Sequence, residues 1–469
     1  ECLNSLRHHG TRYDKVETEH HGTLKWLWKH NQYKAWSSTP HSDLLLIEGK
    51  PGSGKSTLTK YFKDNLLERE PLAKQAIVAS FFYSYRDGEL HTDHSNMLRS
   101  ILYDILHQKE AFFFHFQSRY RKMLKRGSWH YNCLREILLS FKMHPAEERL
   151  YLIVDAMDES DENGRDRIIQ LLHELSATGG PGVVKVFVSS RPIAWESHDS
   201  PEIKNIITME DENGPDILKC AESFLPRLKL SPDWYNKTKD DIIQNAQGAF
   251  VWVHFVEKEL LKYVRTSCNN DDIQNFLQSL PTDLDGFYKR MLGKLENNEL
   301  RDIKLGIRIF RLVLFAKPPL KVQEIHHALA IPDTINTEYS PSDESFKNAL
   351  IHNIDRRIIH CGGNFLEIKG DIVQFIHQTA LTFFTQPDGP VATSQFRMSK
   401  DDARHHISIT CIRYLMLCVA RSTPENEPPN TEIWEPVHFE RYAEHLHERP
   451  FIHFAINHFQ QHKNDCALR

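Results

Sequence analysis

Gly49-Lys50-Pro51-Gly52-Ser53-Gly54-Lys55-Ser56 spells G-x-x-x-x-G-K-S directly after the apolar run Leu44-Leu45-Leu46-Ile47. The order predicts a strand, a glycine-rich turn and a helix from Ser56 onward. Such a turn aims several backbone N–H groups at one point, and the helix adds its positive N-terminal end, so the segment reads as a phosphate-binding loop, Gly49 through Thr57. Glycine is expected at Gly49, Gly52 and Gly54 because the turn visits φ > 0 and a side chain would block the approach of the phosphates. Lys55 is placed to reach the β- and γ-phosphates and Ser56 to ligate Mg²⁺. The bland alternative is a solvated Gly-rich turn, against which the flanking strand and helix argue.

The bulk numbers frame this. At 469 residues the chain is too long for one core, and 40% hydrophobic with 26% charged residues is an ordinary globular composition. A net charge of -5 argues against a dedicated nucleic-acid binder. No apolar run reaches the ~20 residues that span a bilayer, so a cytoplasmic location is expected. Glu1 rather than Met opens the chain, which suggests a piece of a longer protein with effector or sensor domains elsewhere. The eight cysteines form no C-x-x-C pair and read as reduced thiols.

The second half of a nucleotide site follows. Arg149-Leu150-Tyr151-Leu152-Ile153-Val154-Asp155 is an apolar strand ending in a carboxylate suited to hold the Mg²⁺ shell beside Ser56. Ala156 is small, and Asp158 and Glu159 then arrive where one of them can orient or deprotonate an attacking water. Asp161 and Glu162 read as an acidic solvated loop. Another strand, Val183 to Val188, leads into Ser189-Ser190-Arg191-Pro192, where Arg191 can sense the γ-phosphate and stabilise transferred charge; an ordinary salt bridge to a surface acid is the competing reading. Ala76 to Tyr83 and Ile206 to Met209 supply two more strands. Helical periodicity over Met97–Leu106, Leu134–Phe141 and Ile168–Leu175 alternates with them. The expected fold is therefore α/β, a P-loop parallel sheet covered by helices on both faces, followed by all-helical and winged-helix regions.

With these residues quoted, the chain resembles the NACHT-type NTPases of the fungal NOD-like receptors, in the signal-transducing (STAND) branch of P-loop ATPases. The matching pieces are Gly49 to Thr57, Val154-Asp155-Ala156-Met157-Asp158-Glu159 and Val188-Ser189-Ser190-Arg191-Pro192. The small residue after the strand-ending aspartate is the most family-specific. The resemblance runs from Arg12 to Leu446, loosely towards the end, and Tyr13 to Trp28 looks like the family's pre-NACHT segment, which can lie near the base. It implies residues 1–36 as that segment, 37–210 as the nucleotide domain, 211–280 as a helical domain, 281–395 as a winged helix and 396–469 as a helical end.

Downstream, Asp216–Leu228 and Asp240–Val264 read as amphipathic helices. Relatives carry G-x-P within the second; this chain has Gly248-Ala249-Phe250, and Phe250 is expected to be core rather than a stacking partner for the base. Three further helices fill Asp283 to Ala330, broken at Ala316-Lys317-Pro318-Pro319-Leu320. Phe365–Ile368 and Ile372–Ile376 flank Lys369-Gly370-Asp371 as a hairpin, the expected wing. His377 then falls where the family's M-H-D-like motif lies, which implies contact with the β-phosphate of ADP; Gln378 replaces the aspartate of that motif.

Three segments are left with plain readings. Arg119 to Arg126 is basic but spaced as a solvated helix face. His458, His462 and Cys466 recur every four residues without a fourth metal ligand. Ser422 to Asn430 is a polar, proline-rich connector. The function implied by residues and resemblance together is a nucleotide-operated signalling switch. ATP/ADP, or GTP, binds with Mg²⁺ and is slowly hydrolysed, and exchange controls self-assembly in fungal non-self recognition or defence. The rival is a P-loop ATPase or kinase that catalyses on another molecule. Nucleic acid is not an expected partner.

Overall fold

Successive residues of Leu44–Ile47 serve two different cores. Side chains on a strand alternate between faces, so Leu44 and Leu46 face one set of helices while Leu45 and Ile47 face another. A run apolar at every position is what such double-sided burial requires. In the computed structural model of the chain, these residues lie in β1, Asp43–Glu48. The structure describes residues 2, 6 and 12–457 apart from 86, 88, 127–128, 144–148, 194, 196–202, 265–269, 282, 334–341, 387 and 421–446. The histidine–cysteine trio at 458–466 and the connector at 422–430 therefore lie outside the described residues.

Contacts divide the chain into two units, Glu1–Thr282 and Asp283–Arg469. The first holds α1 (Asn31–Ser38), β1, α2 (Lys55–Arg69), β2 (Ile77–Phe82), α3 (His94–Gln108), α4 (Phe113–Arg126), α5 (Tyr131–Ser140), β3 (Leu150–Asp155), α6 (Arg165–Ser176), β4 (Val184–Ser190) and β5 (Asn205–Thr208). The helices α7 (Gly214–Phe224), α8 (Pro232–Ala246), α9 (Phe250–Val264) and α10 (Asn270–Gln278) complete it. The five strands form one sheet in the order β2-β3-β4-β1-β5, and every pairing is parallel. The expected α/β class is what the chain adopts.

Helices α3, α5 and α6 cover one face with Ile101, Leu134, Ile168 and their neighbours. Trp36, Leu58 and Phe62 from α1 and α2 cover the other. Phe62 and Phe187 stack across that second face with ring centroids 4.2 Å apart, a geometry that adds about 0.5–1.5 kcal/mol beyond area burial.

Several expected boundaries move. Helix α2 starts at Lys55 with Gly54 as its cap, and β5 ends at Thr208, Met209 opening a single turn to Glu212. The stretch read as one helix from Asp240 to Val264 is two, because Gln247 (φ 44°) and Gly248 (φ 83°) both turn left-handed between α8 and α9. Helix α7 stops at Phe224, and Leu225–Leu228 winds as a 3₁₀ turn around Pro226.

The second unit, taken by itself, packs α11 (Leu284–Glu296), α12 (Leu300–Phe315), α13 (Val322–Ala330) and α14 (Ile354–Gly362) with an antiparallel hairpin of β6 (Leu366–Lys369) and β7 (Ile372–Phe375). Gly370 takes φ 66° in the two-residue turn. The chain just before α13 pairs along the hairpin edge, through Val373 N to Leu320 O and Val322 N to Asp371 O. Phe310 of α12 sits among Phe365, Phe375, Phe384 and Phe396 at the centre of this unit. Helices α15 (Gln378–Thr385) and α16 (Lys400–Ala420) follow. Among the described residues no helix is long and apolar enough to cross a membrane.

Candidate nucleotide site

The loop between β1 and α2 sits at the carboxyl end of the sheet, where open parallel sheets form their crevices. Gly52 (φ 80°) and Gly54 (φ 94°) take the left-handed conformation the sequence called for, but Gly49 does not. Gly49 is required for a different reason. A Cβ there would meet Ser53 Oγ at 2.7 Å, Met209 Cβ at 2.9 Å and Glu210 Oε1 at 3.1 Å, so crowding rather than dihedral strain excludes a side chain. Pro51 lies in the turn, and Thr57 occupies the first turn of α2.

Lys55 folds its ammonium back onto the loop, donating to Gly49 O at 2.6 Å and Lys50 O at 2.9 Å. Burial pushes its pKa down, opposed first by the Asp158 carboxylate and then by Glu210 and Asp155. Asp155 is fully buried. Burial raises its pKa, while the hydroxyls of Ser189, Ser56 and Thr59 and the charge of Arg12 favour the ionised form. Ser189 Oγ donates to Asp155 Oδ1 and accepts from Ala156 N, which fixes the carboxylate rotamer. Asp155 Oδ2 has no hydrogen-bond partner among the described residues. An orphaned carboxylate oxygen facing a serine hydroxyl at the end of a phosphate loop fits a hydrated Mg²⁺ ion, which would supply charge neutralisation between the phosphates.

Ala156 takes φ 53°, unusual for a residue with a Cβ, and this turn throws Met157–Glu159 into a 3₁₀ turn over the strand ends. Asp158 then meets Arg191, the residue following β4. Arg191 N donates to Asp158 Oδ1 at 3.0 Å, and Arg191 Nε lies 3.0 Å from Oδ2. The salt bridge weighed against the sensor reading of Arg191 thus exists, but its partner is the candidate water-orienting acid rather than a surface carboxylate. Glu159 points elsewhere, accepting from Tyr85 N beyond β2.

Sequence reasoning missed a further set of residues around the loop. Glu210 accepts from Lys50 N, Asn213 Nδ2 donates to Ser53 O at 3.1 Å, and Val251 N approaches Gly52 O at 3.4 Å. Phe250, expected in the core, is half-buried with its ring against Gly54, 3.2 Å from where a Cβ would stand. Neither Glu210 nor Asn213 sits in a local pattern that names it. His377 lies in the second unit and caps α15, its Nδ1 accepting from Thr379 N at 3.2 Å and bonded to Thr379 Oγ1 at 2.8 Å.

A parallel sheet with a phosphate loop after β1, and an acidic strand end separated from it by one strand, defines a P-loop nucleoside-triphosphatase fold. Residues 22–191 match the family described as Nephrocystin 3, N-terminal. The chain is similar to vegetative incompatibility protein HET-E-1 of Podospora anserina, 27% identical over 401 residues that cover 81% of this chain and 28% of that protein. The chain therefore spans well under a third of that relative's length. Among solved structures it is similar to a STAND protein with a tetratricopeptide repeat sensor from Pyrococcus horikoshii (11% identity, 94% of this chain and 56% of that one, TM-score 0.36). It is also similar to the ORC2 protein of Aeropyrum pernix (13% identity, 87% and 98%, TM-score 0.31). The family match and the similarity to HET-E-1 support a P-loop protein of the NACHT/STAND kind.

Proposed function

We propose that this chain is the nucleotide-operated part of a signalling switch. It binds ATP or GTP with Mg²⁺, hydrolyses the triphosphate slowly, and uses exchange between the diphosphate and triphosphate forms to control self-assembly. The observation that carries this reading is the convergence of Lys55, Asp155, Asp158 and Arg191, with Ser56 facing Asp155, at one end of the sheet. Lys55 and the loop amides grip the phosphates, Ser56 and Asp155 hold the metal, Arg191 reads the terminal phosphate, and Asp158 orients water; Glu159, turned towards Tyr85 N, has no part in this.

Reversing a 1:99 population takes ~5.5 kcal/mol of differential binding. Two or three charged hydrogen bonds to the γ-phosphate, at ~1.5–3 kcal/mol each, supply that amount. In this reading residues 281–395 form a winged helix, and His377 contacts the β-phosphate of the diphosphate besides capping its own helix. Sensor and effector domains lie outside the chain, which works in the cytoplasm in fungal non-self recognition or defence.

Mass spectrometry of nucleotide released from the purified chain tests the reading, together with light-scattering mass in ADP and in a non-hydrolysable ATP analogue. One diphosphate per monomer and a mass increase with the analogue are expected. Fast, partner-independent turnover would instead indicate a motor or a catalyst working on another molecule.

A further inference from the structure

We propose that Asn213 is a positioning residue for the phosphate loop and that, through Asp216 one helical turn further on, it couples loop occupancy to the amino-terminal segment Gly22–Trp28. This rests on the nucleotide reading above. Asn213 stands at the cap position of α7, yet its side chain makes no capping bond to that helix. Instead the buried amide spends its two N–H groups on separate parts of the chain, Ser53 O at 3.1 Å and Gly248 O at 2.7 Å.

The first of these bonds sets the direction of the cradle. A trans peptide carries its C=O and its N–H on opposite sides. Pulling the Ser53 carbonyl outward towards Asn213 therefore aims the N–H of Gly54, in the same peptide unit, the other way, towards the phosphate side. The second bond fixes the turn between α8 and α9, so Val251 N reaches Gly52 O and the Phe250 ring lies on Gly54. Glu210 fills the remaining space, since a Cβ on Gly248 would come within 2.7 Å of its Cγ.

Asp216 makes the second half of the connection. This residue is 1% exposed, and its carboxylate accepts from Leu24 N at 2.8 Å and Trp26 Nε1 at 3.0 Å through Oδ2, and from Lys219 Nζ at 3.1 Å through Oδ1. Lys219 also donates to Gly22 O at 2.8 Å. Leu24 is held at φ 61°, a conformation that a leucine adopts only when its surroundings impose it. Asn213 and Asp216 share the first turn of one helix, so a shift of the loop at Ser53 moves both attachments as one body. The segment that leads into the nucleotide domain is thereby tied to the state of the phosphate loop.

The test uses the full chain and ADP. Asn213→Asp keeps the shape of the side chain but removes both donated bonds, and is expected to weaken ADP binding about 10- to 100-fold by calorimetry, with circular dichroism unchanged. Hydrogen exchange of peptides covering residues 20–30 is expected to slow when ADP binds the wild-type chain. Trp26→Phe, which removes one bond to Asp216 and leaves the loop untouched, is expected to keep ADP affinity within twofold while blunting that protection. Asp216→Asn serves as a second, stronger version of the same change. Wild-type affinity in Asn213→Asp, or ADP binding without any change in exchange at 20–30, overturns this inference alone. A wild-type chain that binds no nucleotide overturns the nucleotide reading and this inference with it.

Discussion

Arg191 holds both carboxylate oxygens of Asp158, one through its backbone amide and one through its guanidinium, each at 3.0 Å. On the proposed reading, a γ-phosphate on the loop would compete with Asp158 for the same guanidinium. Asp158→Asn is therefore expected to slow hydrolysis at least about tenfold while raising the affinity ratio of a non-hydrolysable ATP analogue over ADP about three- to tenfold. Single-turnover cleavage and calorimetry read the two effects separately. Equal loss of both nucleotides would argue that the pair serves folding alone.

Lys55→Ala removes the ammonium now resting on Gly49 O and Lys50 O. Two charged hydrogen bonds to phosphate, at ~1.5–3 kcal/mol each, correspond to a weakening of more than about 100-fold. Displacement of a fluorescent ADP analogue measures it, and undiminished affinity would refute the assignment of the loop.

Gly49→Ala and Gly214→Ala separate crowding from conformational freedom. The added methyl at Gly49 meets three atoms at or below 3.1 Å, two of them on the turn after β5. A loss of about 1–3 kcal/mol is expected, seen as a lower melting temperature. At Gly214, in the first turn of α7, nothing lies within 4 Å and φ is not positive. There alanine is expected to be neutral or to stabilise by up to about 1 kcal/mol.

Ser189→Ala frees the Asp155 carboxylate to rotate, because Ser189 Oγ is what joins Asp155 Oδ1 to Ala156 N. The Mg²⁺ concentration needed for half-maximal ATP-analogue binding is expected to rise about tenfold, whereas ADP binding in chelator stays unchanged. A shift in both would point to a damaged loop.

Lys185 is wholly buried on β4, its ammonium on Trp36 O and Thr39 Oγ1 at the far end of α1. Burial lowers its pKa from 10.5 to about 8. The folded state thus disfavours the proton, a penalty fully present below pH 8 and relieved as pH rises from about 8 towards 10.5. Thermal stability, corrected for the parallel titration of a Lys185→Met chain, is expected to climb across that window by at most about 3 kcal/mol. A flat difference between the two chains would count against a buried charged lysine.

Much of this was legible in the sequence because it was local. The all-apolar strands announced burial on two faces, and the glycine spacing before Lys55 announced a phosphate loop. The break between α8 and α9 was also written there, as Gly248 following Gln247, but the flanking amphipathic pattern masked it. What stayed hidden depended on contacts across long stretches of chain. Glu210 and Asn213 each act on the loop from 160 residues away. Gly49 is small because Met209 and Glu210 crowd it, which no turn rule foretells. The pairing of Asp158 with Arg191 required knowing that their strands end side by side.

The placement of β4 between β1 and β3 has a mechanical consequence. The strand leading to the Lys55 loop and the strand ending in Asp155 never touch, and the bar separating them carries Ser189, which steadies the acid, and leads directly into Arg191, the proposed reader of the terminal phosphate. A slide of that bar by a fraction of an ångström would alter both grips together, so on the proposed reading cation and phosphate would be sensed by one rigid lever instead of two independent fingers.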